Sequence, residues 1–190
     1  MKKLLFLLLS LAVILPSCKD DDNVINDTVL QYDGANLSAP IFDQGVSEPA
    51  VYFPTSYLQN FIGKKISELE FFVGDIPAEM VLKISQEDGN NRPGLTLFEE
   101  DITGLNIQSA SWNIWELASP IEITGDKGIW ISIRVKHNNP DERSIGCDAG
   151  PAVTNGDWIF SESDNDWKTL RNRTNNVVDI NWNIRANLID

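Results

Sequence analysis

The sequence predicts an all-β domain built as a sandwich or jelly roll, on the basis of three observations. Short apolar segments recur roughly every 8 to 15 residues and are separated by Gly, Pro, Asn and Asp, which favour turns. Two segments alternate apolar and polar residues with a period of two, which is typical of strands with one buried face. No amphipathic helix of useful length is visible in the pattern.

Most of the predicted elements are short. Thr55–Ile62, which follows a strand stopped by Pro54, could form one or two helical turns ended by Gly63. Gly89–Gly94 is predicted to be a turn, and Pro120 is predicted to separate two strands. The short predicted strands are Ala50–Phe53, Ile66–Val73, Met80–Ser85, Leu95–Ile102, Trp112–Leu117, Ile121–Thr124, Trp158–Phe160 and Trp167–Leu170.

The clearest alternation lies in Ile129–His137 and in the C-terminal segment Ile180–Leu188. In the first segment the isoleucines face one side, while Trp130 and Arg134 face the other. In the second segment Trp182 and the aliphatic residues face inward and the asparagines face outward. Both segments therefore predict a sheet with one face on the core.

Length and charge limit the range of functions. The chain has 190 residues and a formal net charge of −13. This length fits a leader, a tether and one domain of ordinary size, and no internal repeat is visible. This net negative charge is opposite to the positive charge that nucleic-acid-binding proteins present to the phosphate backbone, so we expect no nucleic-acid partner.

The N-terminus predicts a bacterial lipoprotein leader. Lys2 and Lys3 precede an apolar segment, Leu4–Leu15, that is too short to span a bilayer. Leu15–Cys18 resembles a lipobox, although its proline departs from the usual pattern. Residues 1–17 are therefore predicted to be a signal peptide, with Cys18 lipidated as the first mature residue. The alternative is an ordinary secretory signal with an incidental cysteine.

Residues 18–36 are predicted to be a flexible tether because they are polar and lack sustained periodicity. Lys19–Asp22 resembles the acidic export tag of surface-exposed lipoproteins in Gram-negative bacteria. The acidic run could also be a plain solvated linker. We therefore expect an outer-membrane lipoprotein that is surface-exposed, with periplasmic retention as the alternative, and a sandwich domain over 37–190.

Eight segments, taken in order, resemble one family of surface modules. They are Phe53–Pro54, Ile62–Ile66, Phe71–Asp75, Trp112–Asn113, Gly128–Ile131, Cys147–Pro151, Gly156–Trp158 and Asn181–Ala186. Together they are similar to the cleaved-adhesin or haemagglutinin modules attached to gingipains. The resemblance implies a jelly-roll β-sandwich with carbohydrate-binding-module topology, no catalysis and, in some members, calcium binding. It does not identify a ligand.

The sequence lacks clear catalytic chemistry, so no catalytic residues are predicted. His137 is the only histidine and Cys147 is the only cysteine besides Cys18, which disfavours a zinc site. His137 is expected to be structural, and Cys147 to be a small buried residue. A glycosidase with two carboxylates at unpredictable positions stays open as a third-ranked alternative.

Two classes of function are therefore weighed against each other. The first is a non-catalytic binding or adhesion module, with a glycan, a glycoprotein or a host or surface protein as partner. The second is a structural or assembly component of an outer-membrane surface complex, or a protease-associated accessory domain. A glycan array distinguishes the two classes, because only the first predicts a hit that is sensitive to tryptophan substitution.

The predicted binding surface combines an aromatic ring with amide and guanidinium donors, which suit a sugar ring. Its residues are Trp130, Arg134, Asn183, Arg185 and Asn187. This surface requires the C-terminal strand to lie in the same sheet as Ile129–His137. Two alternatives stay open: a neighbouring loop covers Trp130, or the site lies in the loops around Asp148 and Trp158.

Calcium is the one cofactor predicted. Four aspartates lie in loop-like segments, where carboxylates and carbonyls offer the oxygen ligands that calcium prefers. They are Asp148, Asp157, Asp164 and Asp166. The alternative is that they are ordinary turn residues.

Overall fold

The structure is a computed structural model that describes residues 27–190. The predicted signal peptide, the lipidated Cys18 and the first part of the tether lie outside the described residues. Between residues 27 and 190, no helix is both long and apolar enough to cross a membrane.

The described residues form ten strands and a few short helical turns. The helical turns are α1 (Thr55–Leu58), a 3₁₀ turn (Gln59–Phe61) and α2 (Leu170–Arg173). The strands are β1 (Val29–Leu30), β2 (Gly45–Phe53), β3 (Lys65–Val73), β4 (Glu79–Glu87), β5 (Pro93–Asp101), β6 (Ser111–Glu122), β7 (Ile129–His137), β8 (Trp158–Ser161), β9 (Asp166–Thr169) and β10 (Ile184–Ile189).

These strands build two antiparallel sheets, which confirms the prediction of an all-β sandwich. The four-stranded sheet has the order β1-β10-β3-β6, and the six-stranded sheet has the order β5-β4-β7-β2-β8-β9. Neighbours in these orders are often distant in sequence; for example, β7 lies between β2 and β4.

The core lies between the two sheets and follows the period-two pattern. Ile131 and Ile133 on β7 are buried in the same apolar cluster as Leu69 and Phe71 of β3. Burying an aliphatic side chain of this size stabilises the fold by about 1.5–3 kcal/mol. Ile184 and Ala186 of β10 complete the inner face of the four-stranded sheet, as the alternation predicts.

Among the boundaries that differ from the sequence predictions, three stand out. β1 pairs with β10 and Leu30 is fully buried, so sheet structure begins inside the segment assigned to the tether. β2 begins at Gly45, five residues earlier than predicted, and contains a proline. β6 continues through Pro120, because it is an edge strand in which a missing backbone N–H breaks no ladder bond.

Candidate functional site

The structure separates the residues of the predicted binding surface. Trp130 and Arg134 lie on β7 in the six-stranded sheet. Arg185 and Asn187 lie on β10, which pairs with β1 and β3 in the other sheet, and Asn183 immediately precedes β10. The assumption that both strands share a sheet is therefore wrong, and the five residues do not form one surface.

Trp130 lies on the outer face of its sheet, as the alternation predicts, but it is only 1% exposed. Tyr52 stacks on it with ring centroids 4.9 Å apart, and Trp158 and Trp167 contact it at 5.2 and 5.3 Å. Ala50 lies between β7 and β8, where its small side chain leaves room for the rings to meet. Trp130 is thus covered by neighbouring residues, in line with the first alternative given for the predicted surface.

Arg92, from the turn between β4 and β5, holds the cover of Trp130 in place. Its guanidinium lies 5.9 Å from the ring centroid of Trp158 and pairs with Asp166 at 3.1 Å. It also donates a hydrogen bond to the backbone carbonyl of Trp167. These contacts tie the β4–β5 turn to β9 across the outer face of the sheet.

Asn183 and Arg185 serve an internal network. Arg185 Nε donates to both oxygens of the buried Asp33 carboxylate, at 3.1 and 3.0 Å, and Asn183 Nδ2 donates to it at 2.6 Å. Arg185 Nη2 lies 2.9 Å from the same carboxylate and donates to the Gly34 carbonyl at 3.0 Å. The Arg185 guanidinium also lies 4.0 Å from the ring centroid of Trp112. Burial raises the pKa of Asp33, although the hydrogen bonds from Arg185 and Asn183 oppose that shift.

The two other members of the predicted surface have separate partners. Asn187 Nδ2 donates to Glu68 at 3.0 Å. Arg134 lies 3.9 Å from Glu79 and keeps about a third of its side chain exposed. Whether any of these residues contacts a glycan stays a prediction.

The four aspartates predicted to bind calcium are not brought together as one group. Among residues 27–190, no set of three or more His, Cys, Asp or Glu side chains is placed to hold a metal ion. Asp164 pairs with Arg173 at 3.1 Å, and Asp166 pairs with Arg92. The calcium site stays a prediction.

Asp148 is held by four N–H donors. They belong to the backbones of Gly34, Gly150 and Asn181 and to the Asn181 side chain, at distances of 2.8–3.0 Å. Burial alone raises the pKa of Asp148, but these hydrogen bonds outweigh it and hold the pKa below its ordinary value. The carboxylate thereby joins three loops at one end of the sandwich.

Beside these loops lies a cleft of about 240 Å³, which we name the Trp158 cleft. It runs between the loop before β8 and the turn from β9 into α2. Its lining residues are Ala152, Val153, Thr154, Asn155, Asp157, Trp158, Thr169, Arg171 and Asn172. Pockets for drug-sized ligands measure about 300–1,000 Å³, so this smaller cleft suits a ligand of about one sugar ring.

Local hydrogen bonds fix the first wall of the Trp158 cleft. Asn155 has a φ of +77°, a conformation that asparagine tolerates, and its side-chain oxygen accepts from Trp158 Nε1 at 3.3 Å. Gly156 follows, and a Cβ at that position would collide with Asn181 Oδ1. Asn181 in turn accepts from the backbone of Val153 at 2.7 Å.

The second wall is fixed by two caps of α2. Thr169 Oγ1 accepts from the backbone of Asn172 at 3.1 Å, as an N-cap residue does. The buried carboxylate of Asp157 accepts from the backbone of Arg171 at 3.0 Å. Burial raises the pKa of Asp157, with the Arg171 hydrogen bond opposing. The side chains of Arg171 and Asn172 stay largely exposed.

The Trp158 cleft therefore combines a partly buried indole with amide, guanidinium and hydroxyl groups. Such a set can stack on the C–H face of a sugar and bond its hydroxyls in fixed directions. The sequence pointed to Trp158 through the second-choice loop site, but it missed Asn155, Arg171 and Asn172. Asn155 comes from the loop before β8, and Arg171 and Asn172 come from the four-residue helix α2, so no local periodicity marks them.

His137 and Cys147 lie away from the Trp158 cleft and are buried. His137 Nε2 hydrogen-bonds Ser144 Oγ at 2.9 Å, and its ring stacks on Phe42 at 4.9 Å. Burial lowers the pKa of His137 and raises the pKa of Cys147 to about 11. At neutral pH both are therefore uncharged, and neither lines the Trp158 cleft.

Comparison with known proteins identifies a similar fold but no family. No protein-family model matches the sequence, and no curated protein matches it. The domain is similar to a crystal structure of the cysteine protease and lectin-like domains of Cwp84, a surface-layer-associated protein of Clostridium difficile. The TM-score is 0.50, at 10% identity over 76% of this chain and 32% of that chain.

The likeness covers about a third of the Cwp84 chain and falls on its lectin-like part. At 10% identity it shows the fold alone, a β-sandwich like that of a lectin-like domain. The narrower resemblance to gingipain-type adhesin modules gains no support from it.

Proposed function

We propose that the protein is a lipid-anchored outer-membrane surface protein whose sandwich is a non-catalytic glycan-binding module. Trp158 and the polar side chains around its cleft form the binding site in this proposal. The single observation that carries it is the convergence of Trp158, Arg171 and Asn172 on one cleft of about 240 Å³.

In this proposal a sugar ring stacks on the Trp158 indole while Arg171 and Asn172 donate to its hydroxyls. The side chains of both donors reach solvent, although Arg171 Nε donates to Asn176 at 3.1 Å and Nη1 lies 3.8 Å from Asp179. The backbones that carry them are already fixed by Asp157 and Thr169. A preformed site spends less free energy on ordering its loops when the ligand binds.

The anchor rests on the lipobox around Cys18 and the acidic run after it. Two or more acyl chains on such a cysteine give stable membrane attachment. The lectin-like likeness adds support for a module displayed at a cell surface, where a glycan or glycoprotein is the expected partner. The alternatives are an assembly component of a surface complex and a protease-associated accessory domain.

The experiment is a glycan array screened with the full chain, followed by titration of every hit. Trp158→Ala and Asn172→Ala are expected to weaken binding about tenfold or more. Asn172→Ala is the safer variant, because the cap of α2 uses only the Asn172 backbone. Trp112→Ala, on the other sheet, is the matched control and is expected to bind like the wild type.

Each folded state is checked by circular dichroism. Binding that survives in both Trp158→Ala and Asn172→Ala would place the site elsewhere. An array without hits would favour the assembly role over the glycan-binding role.

A further inference from the structure

A cavity of about 390 Å³ lies between the segment 38–41 and the chain that follows α2, and we name it the Arg143 cavity. It shares no lining residue with the Trp158 cleft. Its volume falls within the range of about 300–1,000 Å³ that is usual for small-molecule sites. It therefore has room for a larger ligand than the Trp158 cleft.

Apolar side chains form most of the lining of the Arg143 cavity. They are Ala39, Pro40, Ile41, Leu170, Val178 and Ile180. Cys147 also lines it, and its thiol is uncharged at neutral pH because burial raises the pKa to about 11. Ile41 is 54% exposed, so the apolar surface continues to the mouth. Such a lining favours a hydrocarbon chain over a sugar, whose hydroxyls need hydrogen-bond partners.

Hydrogen bonds within the chain hold both walls of the Arg143 cavity. On one wall, the backbones of Ser38 and Cys147 exchange two hydrogen bonds, at 2.8 and 3.3 Å. On the other wall, Thr174 Oγ1 donates to the Leu170 carbonyl at 2.9 Å. The walls are therefore formed without a ligand, which lowers the free-energy cost of binding one.

Arg143 is the charged residue of this lining. Its Nη1 donates to the Ala39 carbonyl at 2.8 Å, which places the guanidinium beside the apolar surface. Arg143 is an exposed residue, and among residues 27–190 its guanidinium has no carboxylate partner. The nearby carboxylate of Asp75 accepts instead from the Arg143 backbone, at 3.0 Å. The positive charge at the edge of the cavity is thus left for a ligand to neutralise.

The Arg143 cavity lies at the opposite end of β10 from residue 27. Near residue 27, the carbonyl of Thr28 accepts from the Leu188 backbone at 2.8 Å. Cys147, which lines the cavity, forms a bridge with Trp182 just before the other end of β10. The six residues of β10 span about 20 Å. We therefore take the occupant to be a soluble molecule from the surroundings and not a lipid at the foot of the predicted tether.

We propose that the Arg143 cavity binds a medium-chain fatty acid, whose alkyl tail packs in the cavity and whose carboxylate pairs with Arg143. The tail matches the apolar lining, and a guanidinium matches a carboxylate in charge and in geometry. The formal net charge of −13 opposes anions over the rest of the surface, so Arg143 has to supply the preference for an acid. This site is separate from the proposed glycan site.

The test titrates the full chain carrying Cys18→Ser by calorimetry, because this substitution removes acyl chains that would compete for the cavity. Octanoate is the probe, octanol is its neutral counterpart, and butyrate has the same charge on a shorter tail. Octanoate is expected to bind about fivefold more tightly than octanol, the gain from one partly exposed ion pair. It should bind about tenfold or more tightly than butyrate, which buries fewer methylene groups.

Two variants with matched controls locate the site. Arg143→Gln should remove the preference for octanoate over octanol, whereas Arg134→Gln, on β7, should keep it. Ile41→Glu should weaken octanoate binding about tenfold, because it places a negative charge at the mouth of the cavity. Ile114→Glu changes an isoleucine of similar exposure, 61%, on β6 and should leave octanoate affinity unchanged. Melting temperatures verify that the variants are folded.

The proposal is overturned if octanoate does not bind, or binds no more tightly than octanol or butyrate. An unchanged preference in folded Arg143→Gln also overturns it. If Arg143→Gln fails to fold, the isoleucine variants decide, and equal octanoate affinity in Ile41→Glu and Ile114→Glu rejects the site. Trp158→Ala should leave octanoate affinity intact; a loss there would assign the probe to the Trp158 cleft and reject the Arg143 cavity.

Discussion

Two buried tryptophans with different hydrogen bonds allow a matched test of the structure. Trp130 and Trp182 are 1% and 0% exposed. Trp182 Nε1 donates to the backbone carbonyl of Trp158 at 2.8 Å, while Trp130 Nε1 has no partner among the described residues. Replacing each with phenylalanine keeps an aromatic ring and removes the N–H group.

The two substitutions should lower the free energy of unfolding by amounts that differ by the contribution of one buried hydrogen bond. Both remove a similar amount of buried ring, so their packing penalties are comparable. Trp182→Phe also takes away a hydrogen-bond partner of the Trp158 carbonyl, at a cost of about 1–3 kcal/mol. Trp130→Phe loses no such bond and relieves an unsatisfied donor. We therefore expect Trp182→Phe to be the more destabilising by about 1–2 kcal/mol.

Urea unfolding followed by circular dichroism measures this difference, because the signal does not depend on tryptophan fluorescence. The slope against urea should be the same in both variants, so that midpoints report stability directly. In melting temperature the gap corresponds to about 2–8 °C for a domain of this size. If the two variants lose equal stability, or if Trp130→Phe loses more, then the hydrogen bond of Trp182 Nε1 and the lack of a partner for Trp130 Nε1 are refuted.

Three further predictions follow from other parts of the chain. Cys18→Ser should abolish labelling with an alkyne fatty acid and release the protein from membranes; unchanged membrane retention contradicts the anchor. Because burial lowers the pKa of His137 below that of the unfolded chain, its contribution to stability is complete above about pH 6.5 and falls as the pH drops below that value. Unfolding free energies measured between pH 7.5 and 5 check this, and His137→Gln should flatten the dependence. If the predicted aspartates bind calcium, millimolar calcium raises the melting temperature relative to chelator; an unmoved temperature contradicts that prediction.

Period-two alternation predicted the faces of β7, but it could not predict what lies on each face. It placed Ile131 on the core and Trp130 on the outer side, as observed. The cover over Trp130 comes from Trp167 and Arg92, which are distant along the chain, and local patterning carries no information about such contacts. Burial of Trp130 is therefore a tertiary property.

The strands that pair with β10 could not be predicted either, because local patterning carries no information about contacts between distant segments. Its alternation identified Arg185 as outward-facing, yet pairing with β3 and β1 depends on hydrogen bonds between segments far apart in sequence. Asp33, which binds Arg185, lies in a segment that resembles a tether in composition. A polar segment can therefore be ordered when one of its carboxylates, here Asp33, is bound by a cation and an amide of the folded domain, here Arg185 and Asn183.

The attachment of the N-terminal segment also determines how the domain responds to mechanical load. A chain pulled at residue 27 transmits force first to the two-residue pairing of β1 with β10, which is a weak mechanical contact. The next contacts to bear the force are the ion pair of Asp33 with Arg185 and its hydrogen bond from Asn183. Tension would therefore be borne by the four-stranded sheet and would pass, through the hydrogen bonds from Gly34 and Asn181 to Asp148, to the loops beside the Trp158 cleft.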